Sequence, residues 1–497
     1  MRKHPLLDRI RGGDCAVLGY GVSNRPLVEW LMAHGARSVT VRDRRSVEEM
    51  EQSGDRARLD ALGAEPVCGD GYLAGLSGDV IFRTPGMRPD LPEIAAAVEG
   101  GAVLTSEMEL FLALTEAKVI AISGSDGKTT TTTLTSLMLE EACRRTGVGR
   151  VYLGGNIGTP LLPFVEDMTP EDFAVVELSS FQLMTLEAGE TVTRAALTNI
   201  TPNHLNWHTG MEEYIAAKSR LVRGCPEAAV LNRRDEHTRA LGAGLTCPVV
   251  WFTGERELPQ GYLPDTVQAE RGDRAVYERE GSILLVSPAE GGGTEILLSD
   301  ISRIRVPGRH NLENFMTAIA LTLPYATSAD WGAVADRFTG VPHRLELVRE
   351  IPRPGGAIRF YNSSIDSSPT RSLAALSAME EMNLREGRRA PVVICGGQDK
   401  HVPFDPLAEG LCRSASRVIL TGEARGQILD ALERCPAYHP ARLPVKVIPD
   451  YREAMQYACE TAEDGDTVLL SPACTSFDAF RNFAERGEVF RAVVEAL

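Results

Sequence analysis

The chain has 497 residues, of which 43% are hydrophobic and 24% are charged, and its formal net charge at pH 7 is −16. This length is too great for one ordinary hydrophobic core, and it predicts a globular protein of two to four domains. The acidic balance argues against nucleic acid as a partner, because binding to a phosphate backbone depends on clustered positive charge.

Membrane and secretion signals are not found in the sequence. The opening "MRKHPLLDRIRGGD" has no apolar segment suited to secretion, and no run of about 18 apolar residues follows. Ten cysteines occur without a C-x-x-C pair, which favours reduced thiols over disulfides or zinc. We therefore expect a cytoplasmic protein that makes no membrane contact.

The first block begins with a glycine turn between a strand and a helix. "CAVLGYGVSNRPLVEWLMAHG" is followed by "SVTVRD", which ends at Asp43. Gly19 and Gly21 resemble part of a dinucleotide-binding turn, but Asn24 stands where that pattern has a third glycine, which disfavours NAD. A helix N-terminus that faces a phosphate or a uracil would suit the same residues.

The second block carries a short phosphate-binding loop, "VIAISGSDGKTTTTT". Gly124 and Gly127 would let backbone N–H groups close on phosphate oxygens, and Lys128 would add a positive charge where a helix begins. Thr129 could help to hold Mg²⁺. The alternative is a plain glycine turn with a solvated lysine, but five consecutive threonines are poor helix formers and stability alone does not explain them.

Short β-rich runs alternate with helical patterns along the whole chain, which predicts an α/β fold with parallel sheets. The second block extends from about Ser106 to Gly340 and includes a small antiparallel meander near Ala275 to Leu298. A third block begins at Val341 with the strands "PVVICGG", "RVILTG" and "TVLLSPA". Ligands of such sheets gather at the carboxyl ends of the strands.

The order of the longer motifs resembles the Mur ligases. The motifs, in chain order, are "GSDGKTT", "GGNIG", "VVELSSFQL", "LTNITPNHLNWH", "YIAAKSRL", "VPGRHNLEN", "GVPHRLE", "YNSSIDSSPT", "CGGQDKH" and "LSPACTSFDAFRNFAERG". The last three are similar to the branch of the family that adds D-glutamate. The resemblance implies three domains: residues 1–105, Rossmann-like, for the UDP-linked substrate; 106–340, the ATPase core; and 341–497, Rossmann-like, for the amino acid.

The resemblance also implies the reaction. With ATP and Mg²⁺, the carboxylate of UDP-N-acetylmuramoyl-L-alanine would be phosphorylated, and the amine of D-glutamate would attack the resulting acyl phosphate. The family would act on these small molecules as a monomer, in peptidoglycan precursor synthesis.

Matching motifs carry the family's site residues onto this chain. Those for ATP are Gly124, Asp126, Gly127, Lys128, Thr129, Thr130, Asn311, Asn314 and Arg344. Those for metal are Thr129, Glu177, His204 and a carbamylated Lys218, and the catalytic set is Lys128, His204 and Lys218. Those for the UDP-linked substrate are Val22, Ser23, Asp43, Gly86 and Asn156, and those for D-glutamate are Ser367, Lys400, Ser476 and Phe483.

Two departures and two alternatives remain open. Asp126 stands where the family has asparagine, and in "NSSIDSSPT" either Asp366 replaces a displaced aspartate or that contact is lost. The chain could instead be another ligase of this fold, adding diaminopimelate or lysine, or be similar to folylpolyglutamate synthase. It could also be a non-catalytic nucleotide-binding protein, against which the intact lysines and Glu177 argue.

Overall fold

The computed structural model describes residues 1–186, 192–223, 225, 227–255, 258–289, 292–399 and 402–497. The chain forms two compact units. The first contains Met1–Ile301 and Glu313–Val334, and the second contains Ser302–Leu312 and Ala335–Leu497. Among the helices in these ranges, none combines the length and the apolar character needed to cross a bilayer.

The first unit begins with a parallel sheet whose strand order is β3-β2-β1-β4-β5. Its elements are α1 Pro5–Ile10, β1 Asp14–Leu18, α2 Asn24–Ala33, β2 Ser38–Asp43, α3 Val47–Gln52, α4 Asp55–Leu62, β3 Glu65–Cys68, β4 Val80–Arg83, α5 Pro92–Glu99, β5 Val103–Thr105 and α6 Glu107–Leu114. β1 and β4 are buried at nearly every position, as apolar central strands of a covered parallel sheet should be.

The same unit contains a larger sheet with the order β14-β13-β12-β11-β10-β9-β6-β8-β7. Its elements are β6 Lys118–Ser123, α7 Lys128–Thr146, β7 Val151–Gly155, β8 Phe173–Glu177, α8 Ser180–Leu183, β9 Arg194–Leu197, α9 Met211–Ser219, β10 Ala228–Asn232, α10 Glu236–Ala243, β11 Val249–Thr253, β12 Arg274–Arg279, β13 Ser282–Ala289 and β14 Gly292–Asp300. The expected meander is present, and it continues the parallel sheet because β12 pairs parallel with β11. The helices α11 Arg309–Thr322 and α12 Ser328–Arg337 follow.

The second unit has a sheet with the order β15-β16-β20-β17-β18-β19, in which the pair β15 and β16 is antiparallel and the other pairs are parallel. Its elements are β15 Glu346–Ile351, β16 Ile358–Asn362, α13 Pro369–Arg385, β17 Val392–Gly396, α14 Asp405–Ser414, β18 Arg417–Thr421, α15 Arg425–Arg434, β19 Val445–Val447, α16 Tyr451–Glu460, β20 Thr467–Leu470 and α17 Phe483–Glu495.

The predicted fold class is confirmed, since three α/β sheets follow one another along the chain. The phosphate loop leaves the carboxyl end of β6, and Glu177 closes its neighbour β8. The carboxyl ends of parallel strands meet at one edge, so these two segments lie side by side. The domain boundaries at residues 105 and 340 stay a prediction.

Candidate active site

The loop after β6 has the backbone shape that its glycines permit. Gly124 has φ +146° and Gly127 has φ +79°, and both lie in the region that favours glycine. A Cβ at Gly124 would overlap the Thr198 hydroxyl, and a Cβ at Gly127 would overlap the side-chain oxygen of Asn314. The two glycines therefore allow close approach as well as the turn.

The helix α7 begins directly at the end of this loop. Its first intrahelical hydrogen bond runs from Thr131 N to Gly127 O at 2.9 Å. The backbone N–H groups of residues 128–130 precede that bond, and such groups at a helix N-terminus attract anions. The Thr130 side chain itself is buried, so its contribution to a ligand would come from the backbone.

Two lysine side chains donate to the same carbonyl oxygen. Lys128 Nζ lies 3.0 Å from Gly124 O and 2.9 Å from Ser125 O. Lys218 Nζ reaches Gly124 O at 2.7 Å and the Ser123 hydroxyl at 3.3 Å. If both amines were protonated they would repel each other, and an anion placed beside them would relieve that repulsion.

Lys218 is among the most buried charged residues in the described chain, with 1% of its surface exposed. Its ammonium lies 4.7 Å from the centre of the Tyr214 ring. Burial, and after it the charge of Lys128, lower the pKa of Lys218 well below its ordinary value. The structure therefore favours a neutral amine at this position, with the hydroxyl of Ser125 hydrogen-bonded to Tyr214 at 2.8 Å nearby.

Glu177 presents a buried carboxylate beside the loop. Thr129 Oγ1 donates to its Oε2 at 2.8 Å, and Asn156 Nδ2 donates to its Oε1 at 2.7 Å. Asn156 was expected to contact the UDP-linked substrate, and the structure adds this carboxylate contact, while the substrate role stays a prediction.

The oxygens of Thr129 and Glu177 fit Mg²⁺, which commonly takes one or two protein ligands together with phosphates and water. In the described ranges, no three His, Cys, Asp or Glu side chains gather closely enough to form a complete metal site. Lys218 contributes an amine that donates hydrogen bonds, and it would offer oxygen ligands of the kind that Mg²⁺ prefers only as the carbamate.

His204 lies in the loop after β9, exposed, in the left-handed region with φ +54°. Partial desolvation of its ring by neighbouring groups, and after it the charges of Lys128 and Lys218, lower the pKa of His204 from its ordinary value. The ring is therefore neutral near pH 7, as a metal ligand must be. A neighbouring aromatic side chain, Phe181, contacts it edge to face at 4.9 Å.

Asp126, the first departure, is held through its backbone. Its N–H donates to Asn199 Oδ1 at 2.9 Å, and its carbonyl accepts from the Thr198 hydroxyl and from Asn199 Nδ2.

The two asparagines expected to contact ATP are placed differently. In α7, just after the loop, Thr131 Oγ1 donates to Asn314 Oδ1 at 3.3 Å. The structure thus brings Asn314 to the loop. Asn311 belongs to the second unit, where its Nδ2 donates to Pro307 O at 2.6 Å.

Four of the five residues expected to bind the UDP-linked substrate lie at or just after the carboxyl ends of strands of the first sheet, whereas the fifth, Asn156, follows β7 of the larger sheet. Asp43 accepts from the backbone N–H groups of Tyr20 and Arg45 at 2.8 and 2.9 Å, so its carboxylate joins two loops. Burial opposes ionisation there, but these bonds and the Arg45 guanidinium lower the pKa of Asp43. Ser23 precedes α2, and Val22 is 75% exposed beside it.

Asn24 explains how the turn forms without the third glycine. Its side-chain amide is buried and donates to Leu18 O at 3.2 Å and to Gly19 O at 2.8 Å. Gly86, another residue expected to bind the UDP-linked substrate, follows β4, and its carbonyl accepts from Trp207 Nε1 at 2.9 Å.

A buried arginine organises the candidate amino-acid site in the second unit. Arg486 is fully buried and donates to Ser364 O at 2.9 Å and Cys474 O at 3.1 Å, while the Ser364 hydroxyl donates to Phe483 O at 2.7 Å. Burial lowers the pKa of Arg486. These bonds tie together the three segments that carry Ser367, Ser476 and Phe483.

The other residues expected to bind D-glutamate or ATP in this unit differ in exposure. Ser476 is buried with 2% exposure, whereas Ser367 and Arg344 are partly exposed. Lys400 lies outside the described residues, and its role toward D-glutamate stays a prediction.

Asp366, the second departure, is a buried carboxyl group. Its Oδ2 accepts from the Ser471 hydroxyl at 2.8 Å, and the same hydroxyl contacts that of Ser372 at 2.7 Å. Burial raises the pKa of Asp366 to about 6, against hydrogen bonds from Ser363 and Ser471 and the charge of Arg344. The contacts of this carboxyl are with the unit's own hydroxyl groups.

Several residues that shape the site were missed from the sequence. Tyr214, Asn199 and Trp207 contact the loop or its neighbours, and Arg486 organises the second unit. For Trp207, its position three residues after His204 in "NHLNWH" was a signal that it could lie near the site. Arg486 sits in an ordinary helical pattern that gives no such signal.

Comparisons with known proteins agree across most of the chain. Residues 122–322 match the family model of the Mur ligase middle domain, and residues 343–474 match that of the Mur ligase glutamate ligase domain. The UDP-N-acetylmuramoylalanine–D-glutamate ligase of Ruminiclostridium cellulolyticum is 40% identical over 493 residues, covering 98% of this chain and 97% of the relative. The enzyme of the same name from Clostridium novyi is 38% identical over 495 residues, covering 99% and 98%.

A solved structure supports the fold. The UDP-N-acetylmuramate–alanine ligase of Thermotoga maritima aligns with a TM-score of 0.53 at 18% identity, covering 97% of this chain and 99% of that one.

Gly127→Ala should destabilise the first unit more than Gly147→Ala. The two glycines flank α7 with similar φ, +79° and +71°, so each substitution costs about 1–2 kcal/mol for the left-handed backbone. Only the Cβ at position 127 meets another atom, Asn314 Oδ1, since nothing lies within 4 Å at position 147. Urea unfolding of both variants measures the difference, and equal losses would contradict the close contact.

Asp366→Asn should flatten part of the pH dependence of stability. The folded-state pKa is raised to about 6, so this group's stabilising contribution is present below about pH 4 and is lost as the pH rises through 6. Relative to the variant, the wild type should lose up to about 3 kcal/mol between pH 4 and 7. Urea unfolding at several pH values measures this loss, with exposed Asp430→Asn as the control. A pH-independent difference would refute the buried carboxyl.

Proposed function

The chain belongs to the Mur ligase family and is an ATP-dependent amide-bond-forming ligase, and we propose that it joins D-glutamate to UDP-N-acetylmuramoyl-L-alanine. The product would be a precursor of peptidoglycan. The full-length relatives at 38–40% identity carry the name of that activity, which favours D-glutamate over diaminopimelate, lysine or a folate substrate.

The observation that carries the proposal is the convergence of Lys128 and Lys218 on the Gly124 carbonyl, next to the start of α7. Two amines and a set of helix N–H groups form a site for a polyanion, and the triphosphate of ATP is one. A protein that only held a nucleotide would need no buried lysine behind the loop, so the arrangement favours catalysis.

The roles of the loop residues follow from their positions. Lys128 would turn from the Gly124 and Ser125 carbonyls to the β- and γ-phosphates. Thr129 and Glu177 would hold Mg²⁺, which when bound would neutralise phosphate charge. His204 and carbamylated Lys218 would serve a second metal position.

The acceptor carboxylate must be activated, because a carboxylate is a poor electrophile. The γ-phosphoryl group would pass to the carboxylate of the UDP-linked substrate, with ADP leaving, and the amine of D-glutamate would then displace phosphate. Cationic side chains would hold the anions together. Water must be excluded, since it would hydrolyse the acyl phosphate.

The other assignments remain proposals of the same scheme. Val22, Ser23, Asp43 and Gly86 would hold the UDP portion, at the carboxyl ends of the first sheet where ligands gather. Ser367, Lys400, Ser476 and Phe483 would hold D-glutamate. Arg344, Asn311 and Asn314 would contact the nucleotide. The monomeric state and the cytoplasmic location also stay predictions.

Phosphate release should require ATP, UDP-N-acetylmuramoyl-L-alanine and D-glutamate together. In a panel of amino acids, D-glutamate should give the highest kcat/KM. Lys128→Ala should lower kcat by about a hundredfold or more, because a charge at the transferring phosphoryl group is lost. The matched control is Lys118→Ala, whose lysine lies at the opposite end of β6 and contacts Pro170 O. Release with lysine or diaminopimelate in preference to D-glutamate would refute the substrate assignment.

Lys218 should react with CO₂. Its lowered pKa provides the neutral amine that carbamylation requires, and Lys128 beside it favours the resulting anion. Protein incubated with ¹³C-bicarbonate should show a carbamate carbon signal by NMR that is missing in Lys218→Ala and present in Lys118→Ala. Lys218→Ala should be inactive and be partly restored by short carboxylates. Full activity of that variant without additives would contradict the assignment.

A further inference from the structure

A tryptophan joins the loop that carries His204 to the Gly86 turn of the first sheet. Trp207 Nε1 donates to Gly86 O at 2.9 Å. Arg88, two residues beyond Gly86, donates to Trp207 O at 2.7 Å, and its guanidinium lies 5.0 Å from the centre of the Trp207 ring. Side chain and backbone of the tryptophan are therefore both bound by the same short turn, residues 86–88.

The bonds continue from Arg88 into α9. Arg88 donates to both oxygens of Glu213 at 3.1 and 3.2 Å, and Glu213 also accepts from Thr209 N. His208 Nδ1 contacts Glu213 at 3.0 Å, and its Nε2 contacts the Ser180 hydroxyl at 2.9 Å. The next residue along α9, Tyr214, meets the phosphate loop at Ser125, as described above.

His204 depends on this arrangement for its position. Its carbonyl accepts from the N–H groups of Trp207 and His208, both at 3.0 Å. Its φ of +54° is unfavourable for a residue with a side chain and persists only where neighbours enforce it. The Phe181 ring contacts both the His204 ring, at 4.9 Å between centroids, and the Trp207 ring, at 4.5 Å.

We propose that Trp207 and Arg88 are positioning residues that couple occupation of the Gly86 turn by the UDP-linked substrate to the placement of His204. The inference rests on the proposed function, which assigns that turn to the UDP portion. A substrate that orders residues 86–88 would also order the Trp207 indole, which is hydrogen-bonded to Gly86 O. Ordering Trp207 in turn fixes the loop in which its backbone N–H donates to the His204 carbonyl. Neither side chain needs to touch the reacting atoms.

Trp207→Phe tests the coupling, because phenylalanine keeps a ring beside Arg88 and loses the bond to Gly86 O. The matched control is Trp331→Phe, in the same unit, whose indole also donates one hydrogen bond, to the Thr322 hydroxyl at 2.9 Å. Trp207→Phe should raise the KM for the UDP-linked substrate roughly five- to tenfold, the effect expected for one hydrogen bond. It should leave the KM for ATP within about twofold of the wild type, as should Trp331→Phe for both substrates.

Fluorescence supplies a readout that needs no turnover. Of the four tryptophans, Trp207 is partly exposed, while Trp30, Trp251 and Trp331 are at most 6% exposed. Adding the UDP-linked substrate without ATP should change the emission of the wild type and of Trp331→Phe. The change should vanish in Trp207→Phe.

Arg88→Lys is a second variant, which keeps the positive charge but loses the planar guanidinium group that donates to Trp207 O and to Glu213. It should show the same selective rise in the KM for the UDP-linked substrate. Equal rises for ATP in both variants, or unchanged kinetics in both, would overturn the coupling. An inactive wild type with all three substrates present would instead refute the proposed function, so the two failures are distinguishable.

Discussion

The convergence of two amines on one carbonyl oxygen is the constraint on which the central site depends. Gly124 O has two lone pairs, and Lys128 and Lys218 each donate to it. Both amines cannot be charged in a partly buried place without strong repulsion, unless negative charge compensates them. The buried lysine therefore shifts toward the neutral form, and the exposed side of the loop favours anions. Beside this loop, the Glu177 carboxylate accepts hydrogen bonds from the side chains of Thr129 and Asn156.

Local patterns predicted the framework of this site. A strand, two glycines and a lysine at the start of a helix determine the conformation of the phosphate loop within a few residues. The positions of Glu177 and Asp43 at the ends of their strands also follow from short sequence patterns. Tertiary contacts were not predictable in this way. Asn156 meets Glu177 across 21 residues, and nothing in "GGNIG" alone says that an amide will donate to that carboxylate.

Residues that depart from an expected sequence pattern show the same limit of prediction. The missing third glycine at Asn24 indicated a weaker dinucleotide turn, whereas the folded chain uses the amide of that residue to bond the turn's own carbonyls. For Asp366 the sequence left two outcomes open, and its burial beside Ser471 could be known only once the strands were assembled. Arg486 joins its own helix to two distant segments, at Ser364 and at Cys474, and no short window of sequence contains all three.

The division of the chain has a consequence for its synthesis. The first unit needs residues 313–334, which are translated after the start of the second unit at residue 302. Buried Arg194 donates to Ala320 O at 2.9 Å, and Arg145 is paired with Asp330, so the unit lacks these bonds while its last helices are still inside the ribosome. A nascent chain of about 300 residues would hold the nine-stranded sheet before α11 and α12 are available to pack in the first unit. Folding of the first unit is thus completed late, and exposure to chaperones or proteases is prolonged until the ribosome has passed residue 334.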